Sequence, residues 1–121
     1  MAQPQQDTYG TLKGTIGVYE GNCMPGPGVK PCEPRPISTA VFISSLTETY
    51  TEELLVKQIQ SNNDGTYEVL LPPGKYSLFL GDGDRVVCTL MQCPNTCFCN
   101  PFEIVKDSTT VIDAELDHAT W

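Results

Sequence analysis

The stretch Asn63-Asp64-Gly65-Thr66-Tyr67-Glu68-Val69-Leu70-Leu71-Pro72-Pro73-Gly74-Lys75-Tyr76-Ser77-Leu78 is the part of the sequence that decides the fold. Its first three residues tolerate positive φ and therefore favour a turn. Residues 66–71 alternate between two faces with a period of two, which is typical of a half-buried strand. Residues 72–74 end that strand, because proline has no N–H to donate and glycine permits a bend. The stretch therefore predicts two strands, at about 66–71 and 75–80.

The same alternation recurs along the rest of the chain. The first predicted strand begins at residue 10. The others cover residues 37–44, 54–60, 85–89, 102–105 and 109–116. Residues 20–36 and 90–100 read as long loops, and residues 45–53 as a loop or a single helical turn. About eight short strands without a convincing helix indicate an all-β sandwich or barrel. We predict a flexible tail at residues 1–9 and one β-sandwich domain at residues 10–121.

The charge balance excludes several classes of partner. Seven Lys and Arg residues stand against fifteen Asp and Glu residues, which gives a net charge of −8. Binding to nucleic acid requires a basic face, so we expect no nucleic-acid partner. Docking on anionic lipid is disfavoured for the same reason. No apolar run is long enough for a transmembrane helix, and we therefore expect no direct insertion into a membrane.

The cysteine content points to an exported protein. Six cysteines are many for a cytosolic chain of this size, and the even number favours disulfides. Residues 1–8 are polar and contain no apolar signal core. We therefore expect that a leader has been removed and that Met1 is not native to the mature chain; a lipid anchor in the precursor is compatible with this. The predicted location is extracellular, on the cell surface or on the periplasmic face of the envelope.

The pairing of the cysteines stays open at the level of the sequence. Cys88, Cys93, Cys97 and Cys99 lie close enough to suggest a four-thiolate zinc site, but their spacing differs from the C-x2-C knuckles of zinc ribbons. Disulfides are favoured over a metal site and over free or redox-active thiols. The pairing that best closes the two loops is Cys23–Cys32, Cys88–Cys99 and Cys93–Cys97, although other pairings are compatible with the sequence.

The polar residues of the turns suggest calcium binding, but turn chemistry is the favoured interpretation. Asp82 and Asp84 form one group and residues 62–64 another. Neither has the ligand spacing of an EF-hand loop. Asp and Asn side chains commonly cap turns by binding nearby amides. We therefore predict no metal site.

Three further groups of residues suggest a functional site, and each also has a simpler interpretation. His118, beside Asp117, is the only histidine, so a catalytic triad would have to use it; a frayed or packed chain end is favoured. Lys13 and Glu68 could belong to an isopeptide-forming site, but exposed positions on strand faces are favoured. A carbohydrate-binding platform would need several aromatic residues together, and nothing in the sequence brings together Tyr9, Tyr19, Tyr50 and Trp121.

Three blocks of the chain resemble a known family. They are residues 10–16, residues 64–78, and the two strands between 102 and 116. In order and spacing they are similar to the carboxypeptidase regulatory-like domain. This resemblance implies a transthyretin-like (prealbumin-like) Greek-key sandwich of seven or eight strands over residues 10–117. Residues 21–26, Cys32 and the ending 117–121 also resemble small, uncharacterised secreted or lipid-anchored proteins of Bacteroidota, which implies a place in the cell envelope.

The functional prediction that follows is a non-enzymatic one. We expect an extracellular or cell-envelope domain for protein interaction or surface assembly, with stapled loops at 20–36 and 90–100 and no cofactor. The partner would be another envelope protein or a further copy of the chain, contacted through the tail or through an open sheet edge. The alternative is a carbohydrate- or small-ligand-binding module. A hydrolase using His118 is the third and least favoured hypothesis, because transthyretin-related hydrolases rely on several histidines.

Overall fold

The fold consists of two β-sheets packed face to face. The computed structural model describes residues 9–28, 31–93 and 95–120, so most of the predicted tail lies outside the described residues. Within the described ranges the chain forms twelve strands: β1 (Gly10–Asn22), β2 (Arg35–Pro36), β3 (Ala40–Ser45), β4 (Leu55–Gln60), β5 (Thr66–Leu71), β6 (Gly74–Asp82), β7 (Arg85–Val87), β8 (Met91–Gln92), β9 (Phe98–Cys99), β10 (Phe102–Ile104), β11 (Thr109–Val111) and β12 (Ala114–Thr120).

The first sheet is built around the long strand β1. On one side of β1 lie β5 and then β2, both antiparallel to it. On the other side lie β11 and then β12, both parallel to it. The parallel pairing of the first and last strands was not part of the sequence prediction, because a register between distant segments leaves no local pattern.

The second sheet has the order β10-β6-β3-β4, and β7 pairs with β6 beyond the end of β10. The chain leaves this sheet after β4, crosses to the first sheet as β5, and returns as β6 to pair with β3. This crossed order is that of a Greek-key arrangement. The small hairpin β8–β9 stands apart from both sheets in hydrogen bonding. The predicted all-β sandwich is therefore confirmed.

The core lies between the two sheets and follows the predicted alternation. In β5 the residues 67, 69 and 71 are buried, whereas Glu68 and Leu70 are exposed. Strands from both sheets contribute to one cluster of buried side chains: Leu12, Ile16, Val18, Val41, Ile43, Tyr67, Val69, Leu71, Tyr76, Leu78, Leu80, Phe102, Ile104, Ala114 and Leu116.

The strand count exceeds the predicted seven or eight because several expected strands are interrupted or supplemented. The strand predicted at 109–116 is two strands, separated by Ile112 and Asp113. At this break the Asp113 carboxylate accepts a hydrogen bond of 2.9 Å from the backbone N–H of Thr15, so a side chain replaces a ladder bond. Gly14 lies so close to the Ile112 carbonyl that a Cβ would be 1.9 Å from its oxygen, which is why glycine is required there. The loop predicted at 90–100 likewise contains β8 and β9.

Candidate functional site

Two strands of equal length form open edges of the sandwich. β4 is the last strand of the second sheet and pairs only with β3 in the part of the chain that the structure describes. β5 pairs only with β1 in the same part of the chain. An edge strand presents unpaired N–H and C=O groups and can therefore pair with a strand from another chain. These two edges are the candidate interaction sites.

The hydrogen bonds around β1 show which backbone groups of β5 are free. Ile16 donates its N–H to the Gly65 carbonyl at 2.7 Å, whereas Thr11 donates to Ser108 on the opposite side. Even-numbered residues of β1 therefore face β5, and its register pairs them with residues 67, 69 and 71. The N–H and C=O groups of Glu68 and Leu70 consequently point away from the sheet. None of these four groups has a hydrogen-bond partner among the described residues.

The start of β5 is closed by its own turn. Asp64 accepts hydrogen bonds from the backbone N–H of Thr66 at 3.1 Å and from its hydroxyl at 2.7 Å. These bonds lower the pKa of the Asp64 carboxyl, since they favour its charged form. Asn62 donates its N–H to the Thr66 carbonyl. The predicted turn role of residues 62–64 is therefore confirmed, and the free edge begins after Thr66.

β5 is held firmly in the sandwich. It pairs with β1 over six consecutive residues without a shift in register. Leu71 is 1% exposed, and the Tyr67 hydroxyl donates a hydrogen bond of 2.7 Å to the Ile112 carbonyl. Burial raises the pKa of the Tyr67 hydroxyl, and the charge of Asp113 raises it further. The open backbone groups of β5 thus belong to a well-ordered strand.

β4 differs in the side chains that it turns towards the core. Lys57 lies directly opposite the fully buried Ile43, so it points to the core side of the sheet, yet it is exposed at the rim. The pairing of β3 with β4 also shifts in register between Ile43 and Ser44. An inward-pointing charge and a bulge are both known to obstruct strand pairing at sheet edges. Among the residues of β4, Ile59 packs against the core, and it is half-buried.

Lys13 and Glu68 lie opposite each other on the outer face of β1 and β5, and both are exposed, as predicted. They line one shallow groove together with Asp113. An isopeptide bond requires a neutral lysine amine as nucleophile, and such a state needs burial away from water. The exposed positions of all three residues give no support to that chemistry.

The structure contains the three disulfides that the sequence favoured. They join Cys23 to Cys32, Cys88 to Cys99, and Cys93 to Cys97. All six sulfurs are thereby engaged, so none is available as a thiolate ligand for zinc. Within the described ranges no group of three or more His, Cys, Asp or Glu residues is arranged to hold a metal ion. Three disulfides indicate an oxidising, extracellular-type environment.

His118 makes a contact with a carboxylate that the sequence did not reveal. Its Nε2 lies 3.0 Å from both carboxylate oxygens of Asp82, and Arg85 lies 3.8 Å from the same carboxylate. This contact joins β12 of the first sheet to β6 of the second. No serine or cysteine side chain is hydrogen-bonded to His118 among the described residues. Asp82 is 36 positions away in sequence, and only the packing of the sheets brings it to the histidine.

Tyr50, one of the residues considered for a carbohydrate platform, lies in a packed aromatic cluster. Tyr50 packs edge to face against Phe42 and Phe79, with ring centroids 5.3 and 5.7 Å apart, on the outer face of the second sheet. Phe79 in this cluster is 2% exposed, so the rings serve packing. Trp121 lies outside the described residues.

No protein-family model matches the chain, and no curated protein is similar to it. The resemblance to the carboxypeptidase regulatory-like domain therefore stays a prediction. Across the described residues, no helix has the length and apolar character needed to cross a membrane. The open edges and the disulfide-closed loops are thus the candidate functional features of the chain.

Proposed function

We propose that this chain is an extracellular or cell-envelope interaction domain that binds an extended segment of another protein by strand addition to β5. The observation that carries the proposal is that the four backbone N–H and C=O groups of Glu68 and Leu70 have no partner in the described part of the chain. The three disulfides support a location outside the cytoplasm. The resemblance of residues 21–26, Cys32 and 117–121 to small Bacteroidota proteins of the cell envelope is a further reason to propose that location.

In strand addition, the main chain and the side chains of the added strand have different roles. Main-chain hydrogen bonds supply affinity, and alternate side chains of the added strand supply specificity. On the outer face of β5 the added strand would lie beside Glu68 and Leu70, and Leu70 is 49% exposed. A partner with an apolar residue beside Leu70 and a basic residue beside Glu68 complements this edge, since opposite charges on neighbouring strands are favourable.

Photocrosslinking tests the proposal with a matched control in the same protein. Leu70 on β5 and Val56 on β4 are both exposed apolar residues, at 49% and 43%. A benzophenone amino acid replacing Leu70 should capture a partner in the cells that make the protein, whereas one replacing Val56 should not. Equal capture at the two positions, or capture only at position 56, would contradict the proposal.

Sedimentation velocity distinguishes a foreign partner from a second copy of the chain. The net charge of −8 opposes self-association at low salt, and screening weakens that repulsion as salt rises. Sedimentation velocity of the unmodified protein, over a range of protein and salt concentrations, shows whether it forms dimers. If the unmodified protein forms a dimer that Leu70→Pro abolishes, the partner is another copy of the chain. If the protein stays monomeric but is crosslinked to a partner through position 70, the partner is a different protein.

A further inference from the structure

The disulfide Cys93–Cys97 is the most accessible of the three. Cys93 is exposed and Cys97 is half-buried. In each of the other two disulfides one sulfur belongs to a buried residue, since Cys23 is 7% exposed and Cys99 is 0% exposed. An attacking thiolate must reach a sulfur along the axis of the S–S bond, and therefore access decides which disulfide reacts.

The same disulfide closes the smallest loop. Its cysteines are 4 residues apart, compared with 9 and 11 for the other two pairs. The entropic stabilisation that a disulfide gives to the folded chain grows with loop length, so the Cys93–Cys97 bond contributes least, by roughly three- to fivefold in the ratio of folded to unfolded protein. The bond also lies within the turn of the β8–β9 hairpin and joins no two elements of the sandwich.

The hairpin is anchored to the sandwich by contacts that do not involve Cys93 or Cys97. The N–H of Cys99 donates to the Thr47 carbonyl at 3.0 Å, and its sulfur is bonded to Cys88. The buried Asn100 side chain donates to the Leu78 carbonyl at 3.1 Å. Opening of the Cys93–Cys97 bond therefore leaves the base of the hairpin in place, and the buried Cys99 is shielded from attack by a freed thiolate.

We propose that Cys93–Cys97 is a thiol–disulfide exchange site, at which the chain forms a mixed disulfide with an external thiol. The incoming thiolate attacks the Cys93 sulfur, the Cys93–Cys97 bond breaks, and Cys97 leaves as a thiolate that takes a proton from water. One disulfide is consumed and one is formed, so the step needs no other oxidant or reductant. Attack of Cys97 on the mixed disulfide reverses the reaction and releases the thiol.

The charge of the chain sets a preference among thiols. Residues 88–101 contain no charged side chain, while the whole chain carries −8. The field of the protein therefore disfavours an anionic thiol and favours a cationic one, and salt reduces the difference. The exchange site is independent of strand addition at β5, so either proposal can fail without the other.

Mass-spectrometric peptide mapping after acid quenching tests the exchange site, with glutathione and cysteamine as probes. We expect adducts on Cys93 before any adduct on Cys23, Cys32, Cys88 or Cys99, because Cys93 is exposed and each of the other two bonds has one sulfur on a buried residue. Cysteamine should react faster than glutathione at low salt, with the two rates converging at high salt once the difference in thiol pKa is corrected. First reaction at Cys23–Cys32, equal rates at all three bonds, or no adduct at Cys93 would overturn the proposal.

Two further experiments test the exchange site, one with a double variant and one with a protein that carries a single thiol. The double variant Cys93→Ser, Cys97→Ser should keep the fold by circular dichroism, since the anchoring contacts remain, and should form no adduct with either probe during the time in which Cys93 reacts in the unmodified protein. A folded protein with a single surface cysteine replaces the small thiols in the last arm. Reaction with it assigns the site to covalent capture of proteins, whereas reaction with small thiols alone assigns it to modification by them.

Discussion

β4 and β5 are open edges of equal length with opposite character. β5 keeps an unbroken register with its neighbour, buries Tyr67, Val69 and Leu71, and carries no charge on its core side. β4 has a register shift beside it, packs one half-buried isoleucine against the core, and turns Lys57 towards the core side at the rim. The two edges thus agree in length and in having an open side, and differ in register and in the side chains that face the core; the proposed docking at β5 depends on that difference.

The largest expected difference between the two edges is in stability. Leu71→Ala should lower the free energy of unfolding by about 2–5 kcal/mol, because it removes a fully buried side chain and leaves a cavity. Ile59→Ala on β4 should cost clearly less, since Ile59 is only half-buried. Urea unfolding followed by circular dichroism measures both under identical conditions. Equal losses would mean that the two edges are anchored alike.

A smaller effect is expected from the hydroxyl that ties β5 to the junction between β11 and β12. Tyr67→Phe should cost about 0.5–1.5 kcal/mol, because the carbonyl of the half-buried Ile112 loses its donor. The raised pKa of Tyr67 also predicts a pH dependence. Above about pH 10 the unfolded chain loses this proton and the folded chain keeps it, so stability should fall by about 1.4 kcal/mol per pH unit.

The Tyr67→Phe variant serves as the control for that pH dependence. Its stability should fall less steeply between about pH 10 and 11 than that of the unmodified protein, since one of the groups that titrates differently in the two states is gone. Denaturant midpoints at closely spaced pH values give the two slopes. Identical slopes would show that Tyr67 does not titrate as its buried position requires.

Substitution of Lys57 should have the smallest effect on the free energy of unfolding. It should instead change self-association. Lys57→Val should alter the free energy of unfolding by less than about 0.5 kcal/mol, because the side chain is exposed. It should nevertheless promote self-association, since it removes the charge that obstructs pairing at β4. Sedimentation velocity would detect the new species, and Lys57→Arg should stay like the unmodified protein. An unchanged Lys57→Val variant would remove the proposed protection of β4.

The stretch at 63–78 predicted its two strands and both turns because those structures depend on neighbouring residues. The open edges could not be predicted in the same way. Lys57 faces the core side only because its register with Ile43 places it there, and that register is a contact between strands. The Asp82–His118 contact and the break of the last strand at Asp113 also depend on how the sheets pack. The disulfide pairing was favoured from loop closure, but the sequence left other pairings open.

The most direct test of β5 as the docking edge uses proline on each edge. The N–H of Leu70 points away from the sheet, and by the same alternation so does that of Gln58 on β4. Proline at either position therefore removes an outward donor and spares the ladder. Binding of the partner captured through position 70 is measured by titration. Leu70→Pro should lower the affinity about tenfold or more, because a carbonyl of the partner strand loses its donor. Gln58→Pro should leave the affinity unchanged. Equal losses, or a loss only for Gln58→Pro, would contradict the account.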